Sequence, residues 1–310
     1  MASTTTGLPP TPASPPQTSR APRRSRKGTP YPGWFYLPAA VVYLSIFIVP
    51  TIVSFYFSLT RWNFSSSEFI GLENFFQFFR EPALVKGFTN TIIYAVVTSG
   101  LKVVLGMGLG VLLASQITGR AYLRSVVFFP VLVSTVGVGI TFTALMNPSR
   151  GLINQVLELV GIAGPGWLTD PQLALLSVAL VDVWKGVGLA TVIYIAGIVS
   201  IPPEYTEAAA VDGASPWQQF RSITLPLSWP ATSTVVTLSL IGGLRSFDLI
   251  WAMTRGGPGF TSDVIASVIY KQYQAGFYGL STAGNVLLFI VVTAIVIPLT
   301  RWLAKKEVAM

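Results

Sequence analysis

The chain has 310 residues, of which 52% are hydrophobic and only 10% are charged, and its mean hydropathy is +0.63. These values exclude an ordinary water-soluble domain and indicate a membrane protein. The absence of cysteine and histidine excludes disulfides, thiolate chemistry, imidazole bases and the commonest zinc ligands, so catalysis or metal binding would depend on twelve carboxylates. We expect no metal site in this chain.

The N-terminal segment, residues 1–30, is rich in Pro, Ser, Thr and Ala and is predicted to be a disordered cytoplasmic tail. Five of the twenty basic residues lie between Arg20 and Lys27, directly before the first apolar run. The net charge of +8 could suggest nucleic acid, but this position is typical of a topology signal that contacts anionic lipid. The apolar run is longer than that of a signal peptide, so we expect it to remain as a membrane span.

Six apolar stretches are long enough to cross a bilayer, for which a helix needs about 20 mostly apolar residues. The sequence therefore predicts an all-α membrane protein with one six-helix domain over residues 31–310. The predicted spans are Trp34–Leu59, Thr91–Ser115, Val126–Met146, Leu173–Ile201, Ala231–Met253 and Thr282–Leu303.

The distribution of basic residues predicts the orientation of these spans. Eleven Lys and Arg residues fall on the side of the N-terminal tail and six on the opposite side. Because cytoplasmic loops carry the excess of basic residues, both termini are predicted to lie in the cytoplasm. The segment from Arg61 to Phe88 is then expected to lie along the outer membrane surface.

Charged residues inside three of the spans are costly there and should face the protein interior. Lys102 lies in the second span, Asp182 and Lys185 in the fourth, and Arg245 and Asp248 in the fifth. The spacing of three residues favours an intrahelical ion pair between Asp182 and Lys185, and it leaves the same alternative open for Arg245 and Asp248.

Glycines surround Lys102, with Gly100 before it and the run from Gly106 to Gly110 after it. Small residues in a membrane span allow two helices to approach closely. We therefore expect this run to pack against another helix rather than to bind a nucleotide. Helix packing is also a sufficient explanation for the position of Lys102, without a substrate contact.

The loop between the fourth and fifth spans, residues 202–230, is predicted to form two short helices joined by a tight turn. Pro203 and Glu204 suit a helix start, and Asp212-Gly213 suits its end. Ser215 can then cap a second helix in a capping box with Gln218, and Leu225-Pro226 and Pro230 are expected to end it.

This loop resembles the EAA loop of the permease subunits of bacterial ATP-binding-cassette importers. The resemblance rests on residues at the family's spacing in a loop between two spans. A second stretch, Phe247 to Pro258, is similar to the sugar-importer branch of this family, and within that branch to the maltose-type first permease subunit. The matching loop residues are Glu207-Ala208-Ala209, Asp212-Gly213-Ala214, Phe220, Ile223, Leu225-Pro226 and Pro230.

The resemblance implies a transport subunit of the bacterial cell membrane rather than an enzyme. It implies that a separate ATPase binds ATP and Mg²⁺, since the chain has no phosphate-binding G-x-x-x-x-G-K-[ST] motif. It also implies a heterodimer with a second permease, two ATPase subunits, an extracellular solute-binding protein and a sugar substrate. The residues implied to couple to the ATPase are Glu207, Ala208, Ala209, Asp212, Gly213, Ala214 and Phe220.

Candidate substrate contacts lie before and within the second matching stretch. A sugar needs planar hydrogen-bonding groups and an aromatic surface, and Arg245, Ser246, Asp248 and Trp251 offer both within two helical turns. Two other functions remain as alternatives: an ion-coupled secondary transporter, and an intramembrane enzyme that uses Asp182 and Asp248 as a carboxylate pair.

Overall fold

The computed structural model of the chain describes residues 33–63 and 65–308, so the predicted disordered tail over residues 1–30 lies outside the described residues. The described residues fold mainly into α-helices, as the sequence predicts. They also contain a small antiparallel hairpin, which corrects the all-α expectation. In it β1 (Thr60–Trp62) pairs with β2 (Ser67–Phe69), with Arg61 opposite Glu68.

The described residues divide into two units, one that ends at Val49 and one that begins at Pro50. In the first unit, a 3₁₀ turn (Gly33–Tyr36), helix α1 (Leu37–Tyr43) and a π-helical turn (Leu44–Ile48) follow one another. Helix α2 (Val49–Ser58) begins at the last residue of the first unit and continues into the second. The other helices of the second unit are α3 (Glu73–Arg80), α4 (Pro82–Ala114), α5 (Arg120–Leu132), α6 (Thr135–Leu145), α7 (Leu152–Leu159), α8 (Ala174–Val199), α9 (Pro203–Val211), α10 (Pro216–Gln219), α11 (Leu225–Leu227), α12 (Trp229–Leu244), α13 (Asp248–Met253), α14 (Ile265–Gln274) and α15 (Tyr278–Val308).

Four of the helical segments that the structure describes are long and apolar enough to span a membrane, or up to six if each of two bent pairs is one span. The four are Trp34–Ser58, Pro82–Ala114, Ala174–Val199 and Tyr278–Lys306. The bent pairs are α5 with α6, at 97°, and the segment Pro216–Leu227 with α12, at 66°.

Two predicted spans are therefore not single helices. The third, Val126–Met146, breaks at Val133 and Ser134, whose backbone ψ angles are extended. Pro130, three residues before the break, has no N–H and so removes one hydrogen-bond donor from α5. The fifth, Ala231–Met253, is interrupted between Leu244 and Asp248. Hydropathy reports only whether a segment is apolar, so it could not reveal either break.

Glycine contacts hold α4 against α8. A Cβ atom on Gly106 would lie 2.7 Å from the Cβ of Ala190, and one on Gly110 would lie 2.6 Å from the Cβ of Tyr194. These two glycines thus let the helices approach closely, as the sequence predicts, whereas Gly108 has no neighbour within 4 Å.

The packing of α5 on α8 depends on Gly188, and substitution by alanine should disrupt it. A Cβ atom there would overlap the backbone oxygen of Val127 and lie 2.9 Å from the Cα of Phe128, and backbone atoms cannot rotate away as a side chain can. We expect Gly188→Ala to cost about 1–3 kcal/mol by overpacking. Thermal unfolding of the purified protein in detergent, with size-exclusion chromatography after each heating step, measures this loss.

Gly100→Ala is the matched control, because Gly100 lies in α4 and has no atom within 4 Å of its Cβ position. Alanine there should leave stability unchanged or raise it by about 1 kcal/mol, since alanine favours the helix. Equal stability of the two variants would contradict the close packing at Gly188.

Candidate functional site: a helical loop and a broken helix

Helix α9 forms the first half of the loop 202–230 and presents small and acidic side chains to solvent. It begins at Pro203, and Glu204, Glu207 and Ala208 are exposed. Proline suits the first helical position, where its missing N–H costs nothing, and acidic side chains stabilise the positive end of the helix dipole. The local sequence therefore sets the position and the charge of this helix.

A Schellman turn ends α9. Gly213 has φ +81°, and its N–H donates to the Ala210 oxygen at 3.1 Å. The Ala214 N–H donates to the Ala209 oxygen at 2.9 Å, which closes the turn. Asp212 and Gly213 are exposed, while Ala209 and Ala214 are half-buried. The turn lies where Asp212-Gly213 predicts it.

A capping box begins the second half of the loop, as predicted. The Ser215 N–H donates to the Gln218 Oε1 at 2.7 Å, and the Gln218 N–H donates to the Ser215 Oγ at 3.4 Å. Helix α10 continues through a π-helical turn (Phe220–Thr224) into α11. This element ends at Leu227, one residue after Pro226, and the chain bends by 66° into α12, which has Pro230 in its first turn, so the predicted end is confirmed.

Phe220 attaches the loop to the membrane helices. Its ring lies 5.4 Å from that of Trp217 and packs against a buried cluster contributed by α4, α8 and α12. Among the predicted coupling residues, Phe220 thus contacts the core, whereas Glu207 and Asp212 face solvent. The cluster consists of Met107, Ala190, Tyr194, Ala231 and Val235.

The candidate substrate residues lie at the break between α12 and α13. Arg245 caps α12 and Asp248 begins α13, and both side chains are exposed; Ser246 lies between the helices and is half-buried. Because the two charged residues are not on one continuous helix, the alternative of an intrahelical Arg245–Asp248 ion pair is wrong. Within the described part of the chain they form no salt bridge with each other.

Trp251 belongs to an aromatic cluster with Phe247 and Tyr270, which we name the aromatic triad. The ring of Phe247 stacks on Trp251 at 5.7 Å, and Tyr270 meets them edge-on at 5.3 Å and 4.8 Å. Tyr270 lies on α14, outside every predicted span, so sequence analysis missed it. Only the apolar spacing of α14 could have pointed to a packed helix there.

The pairing of the charges inside the membrane helices differs from the prediction. The Lys102 Nζ atom on α4 lies 2.7 Å from the Asp182 Oδ2 atom on α8, so the expected Asp182–Lys185 pair is wrong. Lys102 is only 8% exposed, and Gly186 leaves room for it, since a Cβ there would lie 2.6 Å from the lysine Cε. Because Asp182 neutralises Lys102, it is not available as half of a catalytic carboxylate pair with Asp248.

The segment between α13 and α14 holds a buried carboxylate. Asp263 is 0% exposed and accepts hydrogen bonds from Ser267 Oγ at 2.7 Å and Lys271 Nζ at 2.6 Å. Burial raises the pKa of the Asp263 carboxyl above its ordinary value, and the bonds from Lys271 and Ser267 oppose that effect. Nothing in the sequence distinguished Asp263 from a surface residue.

The fold is shared with importers of known structure. A bacterial alginate ABC transporter, solved in complex with an alginate-bound periplasmic protein, includes a chain with a TM-score of 0.76 at 24% identity, covering 86% of this chain and 91% of that one. The methionine ABC transporter MetNI includes a chain with a TM-score of 0.52 at 21% identity, covering 72% and 95%. At these identities the likeness shows the fold alone.

Two relatives share a higher sequence identity with the chain than these structures do. The trehalose/maltose transport system permease protein MalF of Thermococcus litoralis is 33% identical over 84% of this chain and 89% of its own length. The multiple sugar-binding transport system permease protein MsmF of Streptococcus mutans is 30% identical over 89% and 96%. Residues 102–308 match the family model described as binding-protein-dependent transport system inner membrane component. The chain therefore belongs to this family of inner membrane components of binding-protein-dependent transport systems.

Proposed function

We propose that the chain is the transmembrane permease subunit of an ATP-driven importer of a carbohydrate. The observation that carries this proposal is the 33% identity, over 84% of the chain, to a relative named for trehalose and maltose transport. Family membership favours this function over an ion-coupled secondary transporter and over an intramembrane enzyme, because the matched family consists of components of binding-protein-dependent systems.

The proposed topology has six membrane crossings with both termini in the cytoplasm. The crossings are the segment Trp34–Ser58, helix α4, the α5–α6 pair, α8, the α12–α13 pair and α15. The excess of Lys and Arg on the side of the termini supports this orientation. It places the loop 202–230 in the cytoplasm and the hairpin, α3 and the segment 254–264 on the outer side.

In the proposed mechanism, the loop 202–230 docks in a groove of a separate ATPase subunit. Helix α9 suits such a contact because Ala208 to Ala210 leave room for a close approach and its acidic residues, Glu207 among them, are exposed. Phe220 anchors the loop to α4, α8 and α12, so a movement of the loop is transmitted to the membrane helices. The coupling residues proposed are Glu207, Ala208, Ala209, Asp212, Gly213, Ala214 and Phe220, and the ATPase binds ATP and Mg²⁺.

The proposed substrate path runs past the break between α12 and α13. Arg245 and Asp248 supply charged hydrogen-bonding groups there, Ser246 supplies a hydroxyl, and Trp251 supplies an aromatic surface for the apolar face of a sugar ring. The aromatic triad adds Phe247 and Tyr270 to that surface.

The proposed complex contains a second, related permease, two ATPase subunits and an extracellular solute-binding protein. A six-helix chain seldom encloses a hydrophilic path alone, which favours a heterodimer of permeases. The alginate transporter with the same fold was solved with a periplasmic protein, which supports a partner of that kind here. The surrounding lipid is the remaining partner, and we propose no nucleic-acid partner.

Uptake into proteoliposomes tests the proposed function. The chain is co-expressed with its partner subunits, and the binding protein and ATP are supplied on the appropriate sides. We expect ATP-dependent uptake of radiolabelled maltose or trehalose and no uptake of radiolabelled methionine. The uptake should stop when the ATPase subunits are omitted.

Two outcomes would contradict the proposal. Sugar uptake that continues without the ATPase, and that follows an imposed ion gradient, would favour the secondary transporter. Uptake of methionine alone would retain the ATP-driven mechanism but overturn the substrate class.

A further inference from the structure

The segment 254–264, between α13 and α14, is closed around the carboxylate of Asp263. Gly256, with φ +84°, packs so tightly on this carboxylate that an added Cβ would overlap the carboxylate oxygen Oδ1. Ser262 Oγ donates to the Gly257 oxygen at 2.6 Å and lies 2.8 Å from Thr254 Oγ1. These bonds hold the segment in one conformation from its first residue to its last.

Helix α4 holds the same segment from the other side. The Asn90 amide donates to the backbone oxygens of Thr261 and Asp263, both at 2.8 Å. The Ile265 N–H donates to Thr91 Oγ1, also at 2.8 Å. All three bonds are buried or part-buried, and each connects residues more than 170 positions apart in the sequence.

Helix α14 carries both the partner of Asp263 and one member of the aromatic triad. Lys271 donates to Asp263, and its ammonium lies 4.9 Å from the centre of the Phe260 ring. Its neighbour in the sequence, Tyr270, contacts Trp251 and Phe247. The ion pair therefore fixes the helix that presents Tyr270 to the other two rings.

We propose that Asp263 and Lys271 form a clamp that positions the aromatic triad for sugar passage, and that Tyr270 is a further residue that determines which sugars pass. This inference rests on the proposed carbohydrate transport. The clamp acts at both ends of the segment: Gly256 follows α13, which carries Trp251, and Lys271 belongs to α14, which carries Tyr270. Asp263 and Lys271 are positioning residues and touch no sugar.

The energetics favour a positioning role over a stabilising one. A buried ion pair often contributes little to stability compared with apolar residues of the same volume, because both charges lose hydration. The raised pKa of Asp263 shows that burial disfavours its charged form. The contribution of the pair that the structure does show is geometric, because bonds of 2.6 Å from Lys271 and 2.7 Å from Ser267 tie α14 to the segment.

The test combines hydrogen exchange with transport in the assembled complex. Asp263→Asn keeps the shape but removes the charge, Lys271→Met removes the donor, and Lys271→Arg keeps a cation at the same position. Glu68→Gln is the matched control, because Glu68 pairs with Arg61 at an exposed site of the same outer region. Tyr270→Leu and Tyr270→Phe test the sugar-facing ring directly.

For Asp263→Asn and Lys271→Met we expect faster amide exchange in residues 248–256 and 265–271, and no change in α8. Transported maltose per ATP hydrolysed should fall by up to about a hundredfold, the effect that a misplacement of about 1 Å can have on a rate. Lys271→Arg should retain most of the transported maltose per ATP hydrolysed, and Glu68→Gln should behave like the wild type. Tyr270→Leu should change the ratio of maltose to trehalose uptake, whereas Tyr270→Phe should keep it.

A purely structural role would lower uptake and ATP hydrolysis in proportion and leave the ratio of the two sugars unchanged, and this result would overturn the proposal. Unchanged exchange in residues 248–256 and 265–271 would also overturn it. If the wild type took up neither sugar, the carbohydrate assignment would fail, and Tyr270 would lose its proposed role with it. The exchange data would still decide whether the clamp positions the triad.

Discussion

Replacing Gly213 by valine should reduce ATP-driven uptake at least about tenfold while the protein still assembles in the membrane. Gly213 has φ +81°, a conformation that costs other residues about 1–2 kcal/mol and a β-branched residue more. No atom lies within 4 Å of its Cβ position, so the effect is conformational and not a clash. The strained turn would shift α9 relative to α10 and weaken the docking on the ATPase that we propose for the loop.

Two controls separate coupling from general strain. Gly213→Asn should retain most of the uptake, because asparagine tolerates the left-handed conformation. Gly161→Val introduces the same strain at another exposed glycine, with φ +78° and open space around it, in the turn after α7. Uptake and binding-protein-stimulated ATP hydrolysis are measured for all three. A similar loss for Gly161→Val, or full activity of Gly213→Val, would contradict the coupling role of this turn.

Lys102→Met should destabilise the protein by about 3–5 kcal/mol, because it leaves the carboxylate of Asp182 without its partner inside the helix bundle. The pair joins α4 to α8 at 2.7 Å, and the side chains of Lys102 and Asp182 are 10% and 23% exposed. Changing both residues, as Lys102→Met with Asp182→Leu, should recover most of the loss. Chemical unfolding in mixed micelles measures all three variants.

Arg61→Met provides the control for that series. Arg61 forms ion pairs with Glu68 and Glu73 at exposed sites, where such pairs contribute about 1 kcal/mol or less. Its effect on stability should therefore be small. If Lys102→Met proved equally mild, or if the double variant were no better than the single one, the buried pair would not join the two helices as the structure indicates.

Features that depend on neighbouring residues were predictable from the sequence. The turn at Gly213 and the capping box of Ser215 follow from local rules, since each uses partners within five residues. The same is true of the presence of long apolar helices. Local sequence therefore predicts the loop and most of the helical segments without information on tertiary contacts.

Features that depend on distant residues were not predictable. Lys102 and Asp182 are 80 positions apart, so the sequence offered only the neighbour at three residues, Lys185, as a partner. Asp263 and Tyr270 acquire their surroundings from α4 and α13, and neither belongs to a motif that local rules detect. The breaks at Ser134 and after Leu244 also escaped, because hydropathy does not register backbone geometry.

The interruption between α12 and α13 has a consequence for solvent. At the end of α12, the Arg245 N–H donates to the Ile241 oxygen and the Ser246 N–H to the Gly243 oxygen, whereas the Gly242 and Leu244 oxygens have no backbone donor among the described residues. Lipid hydrocarbon has no hydrogen-bond donors for such carbonyl groups. Irregular backbone therefore occurs at membrane depth only where protein or water supplies its hydrogen bonds. On the proposed substrate path, a sugar that reaches this break would meet these peptide oxygens, which can accept hydrogen bonds from its hydroxyl groups in place of water.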